Sequence, residues 1–84
     1  MAKRPLKYRD LLQRLRLFGV VENKARGKGS HRMLIRIVEG VKYSYPIRCH
    51  SEGEVKPRAV IGALRRRLRL TAEDGISDEE FYGK

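Results

Sequence analysis

The chain has 84 residues, of which 40% are apolar and 36% charged, and its formal net charge is +10. That length holds one domain, residues 1–84, with a small core, and leaves no room for a cofactor domain beside a substrate domain. The composition is too apolar for disorder and too charged for a membrane protein, and no apolar run approaches the roughly 18 residues of a spanning helix.

Residues 5–18 read as an amphipathic helix. Tyr8, Leu11, Leu12, Leu15 and Phe18 form one stripe at i, i+3, i+4, i+7 spacing, while Lys7, Arg9, Arg14 and Arg16 lie off it. Pro5 suits a first helical position and Gly19 a stop. Residues 20–24 are a short strand candidate, followed by a Gly-rich basic turn over 25–30. Residues 31–38 alternate, with Met33, Ile35 and Ile37 on one face and Arg32, Leu34 and Arg36 on the other. Glu39-Gly40 is a turn, and residues 41–47 alternate again, with Val41, Tyr43, Tyr45 and Ile47 opposite Lys42, Ser44 and Pro46. Pro46 has no N–H to give a ladder, which marks this strand as an edge.

Residues 49–56 read as a loop, and Pro57 opens a second helix to about residue 69. Val60, Ile61, Leu64 and Leu68 are its apolar stripe, with Arg58, Arg65, Arg66 and Arg69 clustered opposite. In the tail, Ser77 and Glu80 have the spacing of a capping box, and Ile76 and Phe81 that of a hydrophobic staple, so a short terminal helix is expected. The expected architecture is α+β: α-β-β-β-α, a three-stranded antiparallel sheet covered by helices on one face, plus a short C-terminal helix. The covered face is expected to be Met33, Ile35, Tyr43 and Tyr45, leaving Arg32, Arg36 and Lys42, with Arg48 close by, on the open one.

Charge is unevenly distributed. Residues 1–70 hold nineteen basic and five acidic side chains, a net of +14, whereas residues 71–84 carry a net of −4. A basic body of this density faces polyanions, either nucleic acid or an acidic partner; solubility alone is the plain alternative. The acidic 70–84 extension is expected to pack on or near the body. The one cysteine, Cys49, can neither staple the domain nor build a zinc site by itself. No apolar segment follows the basic start to serve as a secretory signal, so the cytoplasm is the expected compartment.

One constellation carries chemistry: Gly27-Lys28-Gly29-Ser30-His31. Two glycines open backbone conformations closed to other residues, so a tight turn can aim N–H groups at a phosphate, with Arg26 and Lys28 adding charge. The parity of His31 places it at the rim of the covered side, where partial burial and basic neighbours favour the neutral, proton-accepting imidazole. Such a group suits RNA cleavage without a metal: it takes the proton of a ribose 2′-OH, whose oxygen attacks the adjacent phosphorus. The plain alternative is a Gly-rich hairpin turn and an ordinary rim histidine. His50 is a possible second proton-transfer group or a loop residue bonded to backbone. No CxxC or HxxxH spacing exists, and neither a metal nor another cofactor is expected. The run Arg65-Arg66-Arg67 with Arg69 reads equally as a solvated helix face or a nucleic-acid contact, and the acidic tail could fold back onto it.

The ordered set Lys7-Tyr8-Arg9-Asp10-Leu11-Leu12, Phe18-Gly19, Gly27-Lys28-Gly29-Ser30-His31, Pro46 followed by His50, Val55-Lys56-Pro57, and Ile76-Ser77-Asp78-Glu79-Glu80-Phe81 resembles the HicA family of type II toxin–antitoxin toxins over nearly the whole chain. Residues 69–75 are longer than the join expected before the Glu-Glu-Phe element. The resemblance implies a fold like a double-stranded-RNA-binding domain and a ribonuclease that cleaves mRNA and arrests translation. It implies His31 as the catalytic residue and a HicB-like antitoxin that covers the active site; DNA would be reached only through that antitoxin. Lys24, Arg26, Lys28, Gly29, Ser30, Arg32, Arg36 and Arg48 are then the expected RNA contacts. A non-catalytic RNA-binding module of the same fold is the alternative. A DNA-binding protein using the second helix is a weaker reading, since no helix-turn-helix precedes that helix; a fourth is an interaction protein whose basic surface binds an acidic partner, as an antitoxin would.

Overall fold

The computed structural model describes residues 3–24 and 31–83. Its elements are β1 (Leu6–Lys7), α1 (Tyr8–Leu17), β2 (Val21–Lys24), β3 (His31–Val38), β4 (Val41–Arg48), β5 (Val55–Lys56), α2 (Arg58–Arg67), a 3₁₀ turn (Ala72–Asp74) and α3 (Asp78–Tyr82). None of the helices is long and apolar enough to cross a membrane among these residues.

The apolar stripe of α1 forms as its spacing predicts, with Tyr8, Leu11, Leu12 and Leu15 buried. Its start is later than Pro5. Leu6 and Lys7 pair antiparallel with Lys56 and Val55, which holds the chain extended before the helix. The first free N–H groups of α1 are then taken by loop carbonyls: Tyr8 N–H donates to Glu54 O (2.8 Å) and Arg9 N–H to Glu52 O (2.9 Å). A tertiary contact thus does the work of a side-chain N-cap, which Lys7 does not provide. The segment expected as a plain loop over 49–56 is this cap plus β5.

β2, β3 and β4 form an antiparallel meander with β4 at an edge, as Pro46 requires. Glu39 and Gly40 both have positive φ (51° and 82°), the two-residue hairpin turn that suits strand twist. That turn sets Val38 opposite Val41, and therefore Leu34 opposite Tyr45, Arg36 opposite Tyr43 and Arg32 opposite Ile47. The expected face assignment is consequently wrong for β3. The helices cover Arg32, Leu34 and Arg36 together with Tyr43, Tyr45 and Ile47; Leu34 is fully buried. His31, Met33, Ile35 and Ile37 share the open face with Lys42, Ser44, Pro46 and Arg48. A one-residue difference in register moves every side chain to the other face.

Two arginines make the covered face tenable because their heads find acceptors there. Both α1 and α2 end in the same six-residue reverse turn: Val20 N–H donates to Leu15 O, and Leu70 N–H to Arg65 O. Arg36 reads both ends. Its Nε donates to Phe18 O (3.0 Å) and its Nη1 to Leu68 O (3.1 Å) and Arg69 O (2.9 Å). Cations also complement the helix C-terminal dipole. In α2 the left-handed position is filled by Arg69 (φ 61°), where glycine is ordinary.

The tail is part of the core. Ser77 and Glu80 form the expected capping box, and Phe81 is fully buried, its ring stacked on Phe18 at 6.1 Å between centroids. Arg14 Nε donates to Phe81 O (2.8 Å), closing the end of α3. Arg65, expected on a solvated face, is instead buried. It donates to Leu70 O (2.8 Å) and Ile76 O (3.2 Å) and pairs with Asp78 (2.7 Å), so the acidic tail does fold back onto one arginine of the run. The long 69–75 stretch is taken up by the 3₁₀ turn, whose Thr71 and Asp74 form a second capping box.

Candidate functional site

His31 opens β3 on the open face, half-buried, with Arg48 of β4 directly across from it in the ladder. This corrects the expectation that His31 belongs to the helix-covered rim. His31, Arg32, Met33, Pro46, Ile47 and Arg48 line a shallow hollow of about 310 Å³. Arg48 is exposed, and its carbonyl accepts from the buried Lys56 ammonium, which also pairs with Glu54 (3.0 Å). Glu54 further accepts from the His50 backbone N–H (2.8 Å). That donation and the Lys56 ammonium hold the Glu54 carboxyl below its usual range. The turn that follows Arg48 is therefore tied down, and His50, exposed, contributes its backbone to that tie.

Of the expected RNA contacts, Arg26, Lys28, Gly29 and Ser30 lie outside the described residues. Lys24 is exposed at the end of β2, opposite Arg32 in register. Arg32 and Arg36 depart from expectation, because the register turns both guanidinium groups under the helices. Arg36 is held by the helix ends. Arg32 Nη1 donates to Glu22 Oε2 (3.0 Å), which also accepts from the Tyr8 hydroxyl (2.8 Å), and its guanidinium lies 5.5 Å from the Tyr8 ring centroid.

Burial by itself would raise the Glu22 carboxyl, but the hydrogen bonds from Tyr8 and Arg32 hold it below the usual carboxylate range. Burial, then the bond to Glu22, push the Tyr8 phenol well up. Burial would lower Arg32, yet its Glu22 partner raises it. The ion pair is thus locked in its charged form behind the strand that carries His31. Glu22, one of the five acidic residues of the 1–70 body, was not singled out by the sequence. Its parity with Leu34 across the β2–β3 ladder was the available signal.

Burial raises the Cys49 thiol, whose Sγ–H donates to Ser51 O (2.9 Å). No cluster of three or more His, Cys, Asp or Glu side chains suited to a metal occurs among the described residues. A larger hollow of about 520 Å³ between α2 and residues 71–78 is lined by Lys3, Arg66 and Arg69 but also by Glu73, Asp74 and Asp78, so its charges largely balance.

Among the described residues, the arrangement places an imidazole across from an exposed arginine on the sheet face opposite the helices. An extended anionic chain can reach both from solvent, and the imidazole can accept or return a proton there. Comparisons of the chain with protein-family models, with curated proteins and with solved structures gave no match.

Proposed function

We propose that this chain is a HicA-like toxin, an endoribonuclease that cleaves mRNA without a metal ion, with His31 as its acid–base group. The observation that supports this best is the pairing of His31 with Arg48 across the open face, immediately after the Gly27-Lys28-Gly29-Ser30 run. A three-stranded antiparallel sheet with helices on one face also fits a fold like a double-stranded-RNA-binding domain.

In this reading His31 takes the 2′-OH proton. The 2′-oxygen forms a bond to phosphorus, and the bond to the 5′-oxygen breaks. That oxygen leaves with a proton returned by an acid, leaving a cyclic phosphate and a 5′-hydroxyl. Arg48 would hold the phosphate, joined by Lys28 and the backbone N–H groups of the run that the sequence marks as Gly-rich; Arg32 and Arg36 have no direct part. A HicB-like antitoxin in the same cytoplasm would cover the site. In support, the open face carries Val21 and Ile37, 62% and 66% exposed, around the basic residues, as a surface awaiting a partner does.

The test is RNA cleavage in excess EDTA by the wild type and H31A. Loss of one acid–base group is expected to slow cleavage by about 10²–10⁴-fold while RNA affinity is kept. An H31A protein as active as wild type overturns the assignment. If both proteins bind RNA and neither cleaves it, the chain is a binding module.

A further inference from the structure

Resting on the reading that RNA is the substrate, we propose a second RNA-backbone contact on the flank where α2 meets β4, formed by Arg67 and Arg69. Both side chains are exposed, and each guanidinium lies over a half-buried tyrosine of the edge strand: Arg67 is 5.9 Å from the Tyr45 ring centroid and Arg69 5.3 Å from that of Tyr43. A guanidinium held over a ring loses less freedom when it binds, while its N–H groups at the plane's edge stay available to a phosphate. The backbone at Arg69 adds an independent sign. A long cationic side chain occupies a left-handed position (φ 61°) where glycine would be unstrained.

Placement joins this pair to the His31 site. Tyr45 is three residues from Arg48 along β4, roughly 10 Å at strand rise, and Tyr43 lies a further roughly 7 Å on. Arg48 on the open face and Arg67 and Arg69 on the helix side therefore flank the β4 edge from opposite faces, so a single RNA strand that touches all three rounds that edge. Asp74, which shares the larger hollow with Arg69, makes its hydrogen bonds to Thr71: its Oδ2 accepts from both the Thr71 N–H (3.1 Å) and hydroxyl (2.7 Å). The edge is unsuited to a protein strand, since Pro46 interrupts its donors.

The experiment measures binding of a labelled single-stranded RNA across a salt series for wild type, R67Q/R69Q, R67K/R69K and R16Q/R58Q. The last pair removes the same charge from exposed arginines off this edge. Circular dichroism first establishes that each variant is folded. Two lost phosphate contacts are expected to reduce the slope of log K against log salt by about 1.4, or about 25-fold in affinity at 0.1 M salt relative to a 1 M reference. R67K/R69K keeps the slope but binds more weakly, because an ammonium cannot stack flat. In cleavage, R67Q/R69Q raises KM and leaves kcat. A wild-type slope in R67Q/R69Q overturns the inference, and so does an equal fall in R16Q/R58Q, which would reflect net charge alone. Binding of poly-glutamate in place of RNA overturns it in favour of an acidic protein partner. If R67Q/R69Q binds as wild type while cleavage still depends on His31, only the flank is refuted; if the wild type neither binds nor cleaves RNA, the functional reading falls with it.

Discussion

Replacing Glu22 by Gln isolates the charge of the buried pair from its shape. The amide oxygen can still accept from the Tyr8 hydroxyl and from Arg32, so the hydrogen-bond geometry at 2.8 and 3.0 Å survives in outline. What is lost is the negative charge facing a guanidinium whose side chain is only 9% exposed, from a carboxylate only 8% exposed. Hydrogen bonds to charged groups contribute about 1.5–3 kcal/mol and neutral ones about 0.5–1.5, so the expected loss at pH 7 is about 1–2 kcal/mol. An 84-residue domain has about 4–13 kcal/mol in total, so the effect is measurable without unfolding the protein. With a urea slope of about 1 kcal/mol per molar, the midpoint moves down by about 1–2 M. The pH dependence follows from the depressed Glu22 carboxyl. Its contribution is complete above the unfolded value of about 4.3 and is lost as pH falls through the lower folded value. Wild type and E22Q should therefore differ at pH 7 and converge in acid. Added salt should change the difference little, because the pair is screened from solvent. Equal midpoints at pH 7, or a difference that persists unchanged into acid, would mean that the Glu22 charge does not stabilise the fold.

Three further outcomes follow from the packing and the site. Phe81→Ala empties a fully buried ring site against Phe18 and should cost about 3–5 kcal/mol in urea unfolding; a loss under 1 kcal/mol would mean the tail is not part of the core. Arg36→Met removes three bonds to helix-end carbonyls and should lower the thermal midpoint markedly, by about 2–4 kcal/mol of stability, while RNA affinity measured on the folded fraction stays unchanged. His31→Ala, on the open face, should shift stability by no more than about 0.5 kcal/mol, so any loss of cleavage is not a loss of fold.

Signals that act over a few residues were legible. The stripe of α1, the stop at Gly19, the Glu39-Gly40 turn and the Ser77/Glu80 box all appear where the sequence puts them. The His31–Arg48 pairing was legible too, since a two-residue turn at 39–40 dictates which residues of β3 and β4 face each other. The same count puts Tyr45 beside Leu34. Composition misled there, because a face of Met33, Ile35 and Ile37 looks more like a core than one holding Arg32 and Arg36.

The main helices, the three-stranded meander, their order and the basic character of the chain were readable from sequence, whereas β1 and β5, which exist by pairing Leu6–Lys7 with the distant Val55–Lys56, were not. Which arginines belong to the surface was settled by packing. Arg32, Arg36 and Arg65 turn inward because acceptors arrive from segments 10, 18, 32 and 13 residues away: Glu22, the ends of α1 and α2, and Asp78. Arg48, Arg67 and Arg69 keep their heads in solvent. Residue type and periodicity are the same in both groups. Burial of a charge is set by whether a partner reaches it in the folded chain, and that is a property of packing rather than of local sequence.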